Sequence, residues 1–225
     1  MNILIPDSWL REYLKTDARP SQIMECLSLC GPSDERINTI SNDSIYDIEI
    51  TTNRIDMASI IGIAREAAAI LPRFVIPATL IHRKAYKQNP IIQTLPFSVE
   101  DPQNLCDRLL AVVIDSVQIG PSPDYIKDRL QKSGIRSLNN LIDITNYVML
   151  ELGHPCHVFD YDRIPSRKLL LRNAQNGESL ITLDNKTCIL TSNDVVIDDG
   201  SKTIIDLPGI MGCKNSVVTG DTKRI

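Results

Sequence analysis

The feature of this sequence that most constrains its fold is the run of residues 133–162, SGIRSLNNLIDITNYVMLELGHPCHVFDYD. Apolar residues recur in it at helical spacing, which predicts a helix of about four turns from near Leu138 to Leu152. Gly153 is suited to end that helix, and Pro155 cannot continue it. The polar residues of the run are Arg136, Asn139, Asn140, Asp143, Thr145, Asn146, His154, His157, Asp160 and Asp162. One helix and the turn after it therefore concentrate polar side chains, which predicts a small functional site.

The same run resembles a signature of the β subunit of bacterial phenylalanyl-tRNA synthetase, R-x-x-N-x-x-x-D-x-T-N-Y-V-x-x-E-x-G-x-P-x-H-x-F-D. The residues that match it in register are Arg136, Asn139, Asp143, Thr145, Asn146, Tyr147, Val148, Glu151, Gly153, Pro155, His157, Phe159 and Asp160. In that family the region is the editing module, which hydrolyses tyrosine wrongly attached to phenylalanine tRNA. The resemblance therefore implies RNA binding and hydrolytic editing.

Other segments resemble the same family, and together the matches cover essentially the whole chain. Residues 51–66 resemble its T-P-N-R-P-D-C-x-S-x-x-G-I-A-R-E pattern, with departures at Thr52, Ile55 and Met57. Residues 209–222 resemble its G-V-M-G-G-x-x-S-x-V-x-x-D-T pattern. Two departures in and just before the second pattern matter for the site. Pro208 replaces an alanine and Cys213 replaces a glycine, and we expect both to reshape the amino-acid pocket.

The resemblance also implies which residues form the site. The catalytic set is Asn146, His157 and Arg136, and the substrate-binding set is Thr145, Gly209 and Gly212. Asn146 and His157 are expected to orient water and the ester, Arg136 to hold the adenosine end of the tRNA, and the glycines to form a backbone wall. A protein general base is not required, because the neighbouring ribose hydroxyl of the substrate can assist. On general grounds Asn53 and Arg54 are better explained by turn and cap hydrogen bonds than by phosphate binding.

Composition limits the functions open to the chain. Its 24 basic and 28 acidic residues give a net charge of −4, which argues against non-specific nucleic-acid binding but allows a few local cations to guide an RNA terminus. No apolar run approaches the roughly 20 residues that cross a bilayer, and the start lacks a basic signal region, so we expect a cytoplasmic protein without membrane contact. The 6 cysteines are scattered, which favours buried free thiols and no metal site.

Periodicity predicts an α+β fold with a small N-terminal α+β domain at 1–75 and a linker at 76–96. The resemblance implies that 97–225 is an editing domain, incomplete at its C-terminus. The resemblance gives the editing domain a layered α/β structure with an unusual β-sandwich core. In the N-terminal domain, Asp7 or Ser8 is predicted to cap the first helix and Asp56 the helix that stops at Pro72. A helix is predicted from Ser122 to near Gly134. Strands are predicted at 45–50, 109–117, 168–172, 179–183, 186–190, 194–198 and 203–206.

Partners and cofactors also follow from the resemblance. The chain is expected to act with the synthetase α subunit, in a heterotetramer, on phenylalanine tRNA. ATP and Mg²⁺ serve the aminoacylation carried out by the α subunit, so no cofactor is expected for this chain, and the chain alone is not expected to aminoacylate. In the family a glutamate that reads the tyrosine hydroxyl follows a few residues beyond the position of Ile225, so we expect a truncated N-terminal portion of a β subunit.

Two alternatives stay open at this point. One is a non-catalytic structural fragment with a decayed editing site, which Pro208 and Cys213 favour. The other is a free-standing aminoacyl-tRNA deacylase.

Overall fold

The computed structural model describes residues 2–83 and 95–225. Helices and several separate sheets make it an α+β protein, as predicted. The chain forms two compact units. Unit 1 is Met1–Gln88 with Pro121–Cys156, and unit 2 is Asn89–Gly120 with His157–Ile225.

Two small antiparallel sheets belong to unit 1. Its strands are β1 (Asn2–Pro6), β2 (Leu14–Thr16), β3 (Ser33–Ile40), β4 (Asp43–Glu49) and β5 (Ala78–Leu80). Three of them pair in the order β1-β4-β3, and β2 pairs with β5. The β3–β4 turn places Ser41 and Asn42 at φ 49° and 62°, as a tight type I′ hairpin turn requires. The strand predicted at 45–50 is confirmed as β4, whereas β1, β2, β3 and β5 were not predicted.

The helices of unit 1 pack on these sheets around one apolar core. They are α1 (Asp7–Leu10), α2 (Pro20–Cys30), α3 (Ile60–Ile70), α4 (Asp124–Lys132) and α5 (Asn140–Leu152). Trp9 is fully buried in that core and its ring centroid lies 4.5 Å from that of Tyr147 on α5. Tyr147 and Leu150 of α5 pack against the core cluster. The helix predicted from Leu138 to Leu152 is therefore confirmed, and its apolar side covers the N-terminal core.

Two predicted helix caps are wrong. Asp43 of β4 accepts hydrogen bonds from the Ser8 N–H (3.0 Å) and hydroxyl (2.5 Å), so the start of α1 is satisfied by a distant residue rather than by Asp7 or Ser8. The hydroxyl of Ser59 caps α3 by accepting from the Gly62 N–H at 2.9 Å.

Asp56, the cap predicted for α3, instead binds Arg54. The Nε of Arg54 lies 3.0 Å from the Asp56 carboxylate, and its Nη2 lies 2.9 Å from that of Glu66. Arg54 is therefore held by two carboxylates, which supports the structural interpretation of the 51–56 turn over phosphate binding.

The bounds of the units differ from those of the predicted domains. α4 and α5 lie in the range 97–225 but belong to unit 1. Tyr147 and Leu150 of α5 pack against the N-terminal core. Part of the predicted linker, β5, pairs with β2, and residues 84–94 of that linker lie outside the described residues. The assignment of 97–225 to editing stays a prediction.

Unit 2 is built on a five-stranded sheet and a separate hairpin. The strands are β6 (Ser98–Glu100), β7 (Lys168–Asn173), β8 (Ser179–Ile181), β9 (Thr187–Ile189), β10 (Val195–Asp198), β11 (Ile204–Leu207) and β12 (Met211–Gly212). The sheet order is β12-β11-β10-β7-β6, with β6 and β7 parallel and the other pairs antiparallel, and β8–β9 form the hairpin. The five strands predicted between 168 and 206 are confirmed.

The strand predicted at 109–117 is not formed. Within this segment the backbone of Ile114 bonds in both directions with Ile225, at 2.8 and 3.0 Å, and the Val117 N–H bonds to the carbonyl of Lys223. These hydrogen bonds join the segment to a single short stretch of chain. Residues 109–117 therefore have no neighbouring strand to pair with along their length in the described structure.

Each face of the unit 2 sheet has its own core cluster. The hairpin covers one face, where Leu180 and Leu190 pack with Val196, Ile204 and Leu207. The opposite face buries Ile164, Leu169, Leu171, Ile197 and Ile205, with Phe97 and Phe159 packed against them. The hairpin and the sheet therefore form two packed β layers.

The cysteines only partly follow the prediction of buried thiols. Cys26 and Cys213 are buried, but Cys30, Cys106 and Cys156 are exposed because they lie at a helix end or in irregular segments. Among the described residues, no helix is long and apolar enough to cross a membrane.

Asp143 fixes the start of α5 from a fully buried position. Its carboxylate accepts hydrogen bonds from the hydroxyl groups of Ser122 and Ser137, the latter at 2.5 Å, and from the Leu138 N–H at 2.8 Å. Burial alone would raise the pKa of Asp143, but these hydrogen bonds outweigh it and lower the pKa. The carboxylate therefore stays ionised and joins three segments of unit 1.

Replacing Asp143 by alanine would leave these buried donors without an acceptor. We expect Asp143→Ala to lower the free energy of unfolding by about 2–4 kcal/mol, measured by urea denaturation at neutral pH. The control Asp124→Ala removes an exposed carboxylate from the start of α4. We expect it to change the free energy of unfolding by less than about 1 kcal/mol. Equally small effects of both substitutions would contradict this role of Asp143.

Candidate active site

The helix that carries part of the predicted site is fixed at both ends. The side chain of Asn139 caps α5 by accepting hydrogen bonds from the N–H groups of Leu141 and Ile142, at 3.1 and 3.0 Å. Gly153 ends it with φ 85°, and a Cβ at this position would lie 3.2 Å from the Cβ of Ser59. A residue other than glycine would be strained there, so α5 has a defined length and position.

Arg136, Thr145 and Asn146 lie on α5 and the loop that enters it. Since α5 turns Asp143 and Tyr147 towards the interior of unit 1, the helical rotation of about 100° per residue places Thr145 on the opposite side and Asn146 on the flank. The Thr145 hydroxyl donates to the Ile142 carbonyl at 2.8 Å, so part of its bonding capacity is used within the helix.

The side chains of Arg136 and Asn146 form no hydrogen bond or ion pair within the described part of the chain. Arg136 is exposed and Asn146 is partly buried. Most other arginines near the core of unit 1 are held by carboxylates, as Arg54 and Arg129 are. Arg136 and Asn146 are therefore polar groups with capacity left for a ligand.

His157 is positioned in unit 2 by Phe159 and Gly212. Its ring centroid lies 4.4 Å from that of Phe159. A Cβ on Gly212 would lie 2.5 Å from Cε1 and 3.1 Å from Nε2 of His157. Only glycine therefore lets the imidazole approach this strand so closely. The structure thus brings together two of the predicted site residues, His157 and Gly212.

The imidazole of His157 is neutral near neutral pH. The residue as a whole is exposed to solvent, but partial desolvation of the ring beside Phe159 and Gly212 lowers its pKa. Neither ring nitrogen forms a hydrogen bond within the described residues. A neutral imidazole has one donor and one acceptor nitrogen, so both functions remain available to a substrate or a water molecule.

Gly209 lies in the turn between β11 and β12, where φ is 75°. The Ile210 N–H donates to the Leu207 carbonyl at 3.0 Å and closes the turn, in which Pro208 is partly buried. Nothing lies within 4 Å of a Cβ built on Gly209, which is exposed. Its role in this chain is thus to shape the turn, whereas Gly212 is the position of close approach.

Cys213 does not narrow the space beside His157. Its side chain is buried with Leu180 and Leu190 in the cluster beneath the hairpin, on the opposite face from the neighbouring Gly212. Burial raises the pKa of its thiol to about 11. The expectation that Cys213 reshapes the amino-acid pocket is therefore corrected, because its side chain contributes to the core.

Asp206 lies beside His157 and Gly212 and was not singled out by the sequence. It pairs directly with Gly212 on one side and with Ile197 on the other. Directly opposed residues of antiparallel strands point to the same face, so Asp206 lies on the face where the His157 ring packs. A β-bulge between β10 and β11 brings it there, because the extra residue breaks simple alternation after Ile204.

The environment of Asp206 disfavours its ionised form. The residue is 7% exposed, and burial raises its pKa to about 6, with the nearby Leu207 N–H opposing the rise only in part. Within the described residues its carboxylate makes no ion pair and no hydrogen bond of good geometry. In the sequence, the sign of this unusual environment was a carboxyl group placed between aliphatic residues, Ile205 and Leu207, at the end of a predicted strand.

The predicted site residues are divided between the units. Arg136, Thr145 and Asn146 belong to unit 1, and His157, Gly209 and Gly212 to unit 2. An open groove of about 580 Å³ on unit 2 lies between the hairpin and Lys202 and Lys214, and it contains none of them. Within the described ranges, no cluster of three or more His, Cys, Asp or Glu side chains is suited to a metal ion.

Replacing Asp206 by asparagine tests its electrostatic environment. In the folded chain the pKa of Asp206 lies above its unfolded value of about 3.9. The ionised carboxylate therefore destabilises the fold fully above a pH of about 6, and not at all below a pH of about 3.9. We expect Asp206→Asn to raise the free energy of unfolding by up to about 3 kcal/mol near pH 7.5 and to leave it unchanged near pH 3.5, by urea denaturation. The control Asp221→Asn alters an exposed carboxylate and should have little effect at either pH. A gain of equal size at both pH values would show that charge is not its cause.

Comparison with known proteins adds independent information. A profile of the B3/4 domain family matches residues 105–225. The phenylalanine–tRNA ligase β subunit of Protochlamydia amoebophila is 41% identical over 189 residues, which is 84% of this chain and 23% of that protein. The corresponding β subunit of Geobacter sulfurreducens is 42% identical over 184 residues, 81% of this chain and 22% of that protein.

The chain spans about a quarter of the length of the curated relatives that it matches. A solved N-terminal fragment of the phenylalanyl-tRNA synthetase β subunit from Pyrococcus horikoshii aligns over 100% of this chain and 66% of that one. Its TM-score is 0.48 at 13% identity, a likeness too low to support an argument. The B3/4 match covers more than half of the sequence, and with these relatives it shows that the chain belongs to the family of phenylalanine–tRNA ligase β subunits, in their N-terminal region.

Proposed function

We propose that this chain binds the aminoacylated end of phenylalanine tRNA and hydrolyses tyrosine that has been wrongly attached to it. The observation that carries the proposal is the neutral imidazole of His157, packed against Gly212 with both nitrogens unbonded within the described residues. His157 is exposed, so both of its nitrogens can reach a water molecule or a substrate.

The chemistry required is hydrolysis of an ester. Water adds to the ester carbonyl, a tetrahedral oxyanion forms, and the ribose oxygen leaves with a proton. Such a reaction is accelerated by groups that orient the water and donate hydrogen bonds to the developing oxyanion. His157 offers one donor and one acceptor, and the carboxamide of Asn146 offers both as well. The ribose hydroxyl next to the ester can relay the proton, so the protein does not need a strong base.

Recognition of the tRNA end falls to Arg136 in this proposal. The chain has a net charge of −4, which disfavours a broad RNA-binding surface. Arg54, Arg129 and Arg172 are already paired with carboxylates. Arg136 is an unpaired cation within the described residues and can bind a phosphate or stack on the terminal adenine.

The remaining parts of the proposal concern the complex. The relatives are β subunits of phenylalanine–tRNA ligase. We infer that this chain acts in the cytoplasm with an α subunit, which performs aminoacylation with ATP and Mg²⁺. Ester hydrolysis is favourable without nucleotide energy, so the editing step needs water as its only co-reactant.

The alternative of a decayed editing site loses part of its support. It rested on Pro208 and Cys213, but the Cys213 side chain packs in the core beneath the hairpin. Pro208 remains in the β11–β12 turn, where its missing N–H removes one donor. Removal of tyrosine by the chain would decide against this alternative.

Removing the two proposed orienting groups tests the assignment directly. We expect His157→Ala and Asn146→Ala each to slow deacylation of tyrosyl-tRNA by about 10- to 1,000-fold, because each removes a hydrogen-bonding group that positions water or stabilises the oxyanion. His154→Ala is the matched control, since His154 is an exposed histidine next to the same turn, and it should keep the full rate. The measurement is the loss of labelled tyrosine from preformed tyrosyl-tRNA. Undiminished rates in both site variants would refute the assignment.

The glycine wall is tested by adding a single methyl group. In Gly212→Ala the new Cβ would overlap His157 at 2.5 Å, so the ring must move. We expect deacylation to fall at least about tenfold while the chain stays folded, as judged by circular dichroism. Gly220→Ala is the control, because nothing lies within 4 Å of a Cβ there, and its rate should stay unchanged. The glycine would be dispensable if both variants were equally active.

A further inference from the structure

We propose that Asp206 forms a subsite for the α-ammonium group of the aminoacyl ester, a group that any aminoacylated tRNA presents next to the scissile carbonyl. The inference rests on the proposed function, since it assumes that an aminoacyl ester reaches the face where His157 packs. It deepens that function by naming the group that recognises the amino end of the substrate.

Geometry places Asp206 beside the histidine. Asp206 is directly opposite Gly212 in the antiparallel pair of β11 and β12, and their Cβ positions are therefore about 4.5–5.5 Å apart on the same face. The Cβ position of Gly212 in turn lies 2.5 Å from Cε1 of His157. Asp206 and the imidazole thus lie close together on one face of the sheet.

The second observation is that the carboxylate has no structural function visible in the chain. The other buried aspartates of the described chain all accept hydrogen bonds from hydroxyl groups, N–H groups or an arginine; they are Asp43, Asp143, Asp160, Asp198 and Asp199. Asp206 is 7% exposed and forms no ion pair within the described residues, and the N–H of the neighbouring Leu207 only partly offsets its burial. A buried carboxylate without a positively charged partner destabilises the fold, so its presence on this face is better explained by a ligand than by packing.

The chemical class of the ligand follows from the neighbours. Ile197 and Phe159 are apolar and His157 is neutral. The ionised form of Asp206 therefore places a negative charge among apolar or neutral neighbours on this face. A primary ammonium group supplies a positive charge and three donors, which would satisfy the carboxylate on binding.

The test uses two probes that cannot be hydrolysed. The first is 3′-amino-3′-deoxyadenosine joined to tyrosine through an amide, and the second is the same compound with the amino group of tyrosine replaced by hydrogen. Binding of each probe to the full chain is measured by titration calorimetry. We expect the unaltered chain to bind the amine-bearing probe about tenfold or more tightly than the other. Asp206→Asn should bind both probes equally, with the affinity that the unaltered chain has for the probe lacking the amine.

Asp221→Asn serves as the control, because it removes an exposed carboxylate of the same unit and should keep the preference for the amine. Equal binding of both probes by the unaltered chain would overturn the ammonium subsite and leave the proposed function standing. A preference that survives in Asp206→Asn would also overturn the subsite. Failure of both probes to bind at all would overturn the proposed function together with it.

Discussion

The buried carboxylate of Asp143 is the interaction on which the geometry of unit 1 depends. It gathers hydrogen bonds from Ser122 before α4, from Ser137 and Leu138 before α5, and it lies on α5 itself. A buried charge is stable only when donors surround it, so these segments cannot separate without large cost. The loop that holds Arg136 and the helix that holds Asn146 are therefore set relative to each other by one ionised side chain.

Unit 2 uses the same residue type in the opposite way. The β-bulge before Asp206 turns its carboxylate to the face of His157, where no arginine or hydroxyl meets it in the described structure. Gly212, paired with it across the strands, leaves out a side chain so that the imidazole can approach. A carboxylate with its donors stabilises a fold, whereas one without donors destabilises it and is available to a ligand. The contrast between Asp143 and Asp206 separates the scaffold from the candidate site.

The sequence predicted the features that depend on local pattern. Helix α5 follows from apolar spacing, and its end follows from Gly153, which tolerates positive φ. It could not predict features created by distant residues. The cap of α1 comes from Asp43 on another strand, and the face on which Asp206 lies depends on a bulge in the pairing of β10 with β11. The resemblance placed His157 and Gly212 among the expected site residues, and the fold brings the two into contact.

The charge distribution of this acidic chain limits how the proposed RNA substrate could bind. Arginines of the core region are held by carboxylates, often with an aromatic ring beneath them: Arg129 binds Glu12 and lies 5.1 Å from the ring of Trp9. Such pairs hold helices together and leave little positive charge for non-specific contact with phosphates. In the proposed function, contact with a phosphate therefore falls to a cation without an ion pair in the described structure, such as Arg136.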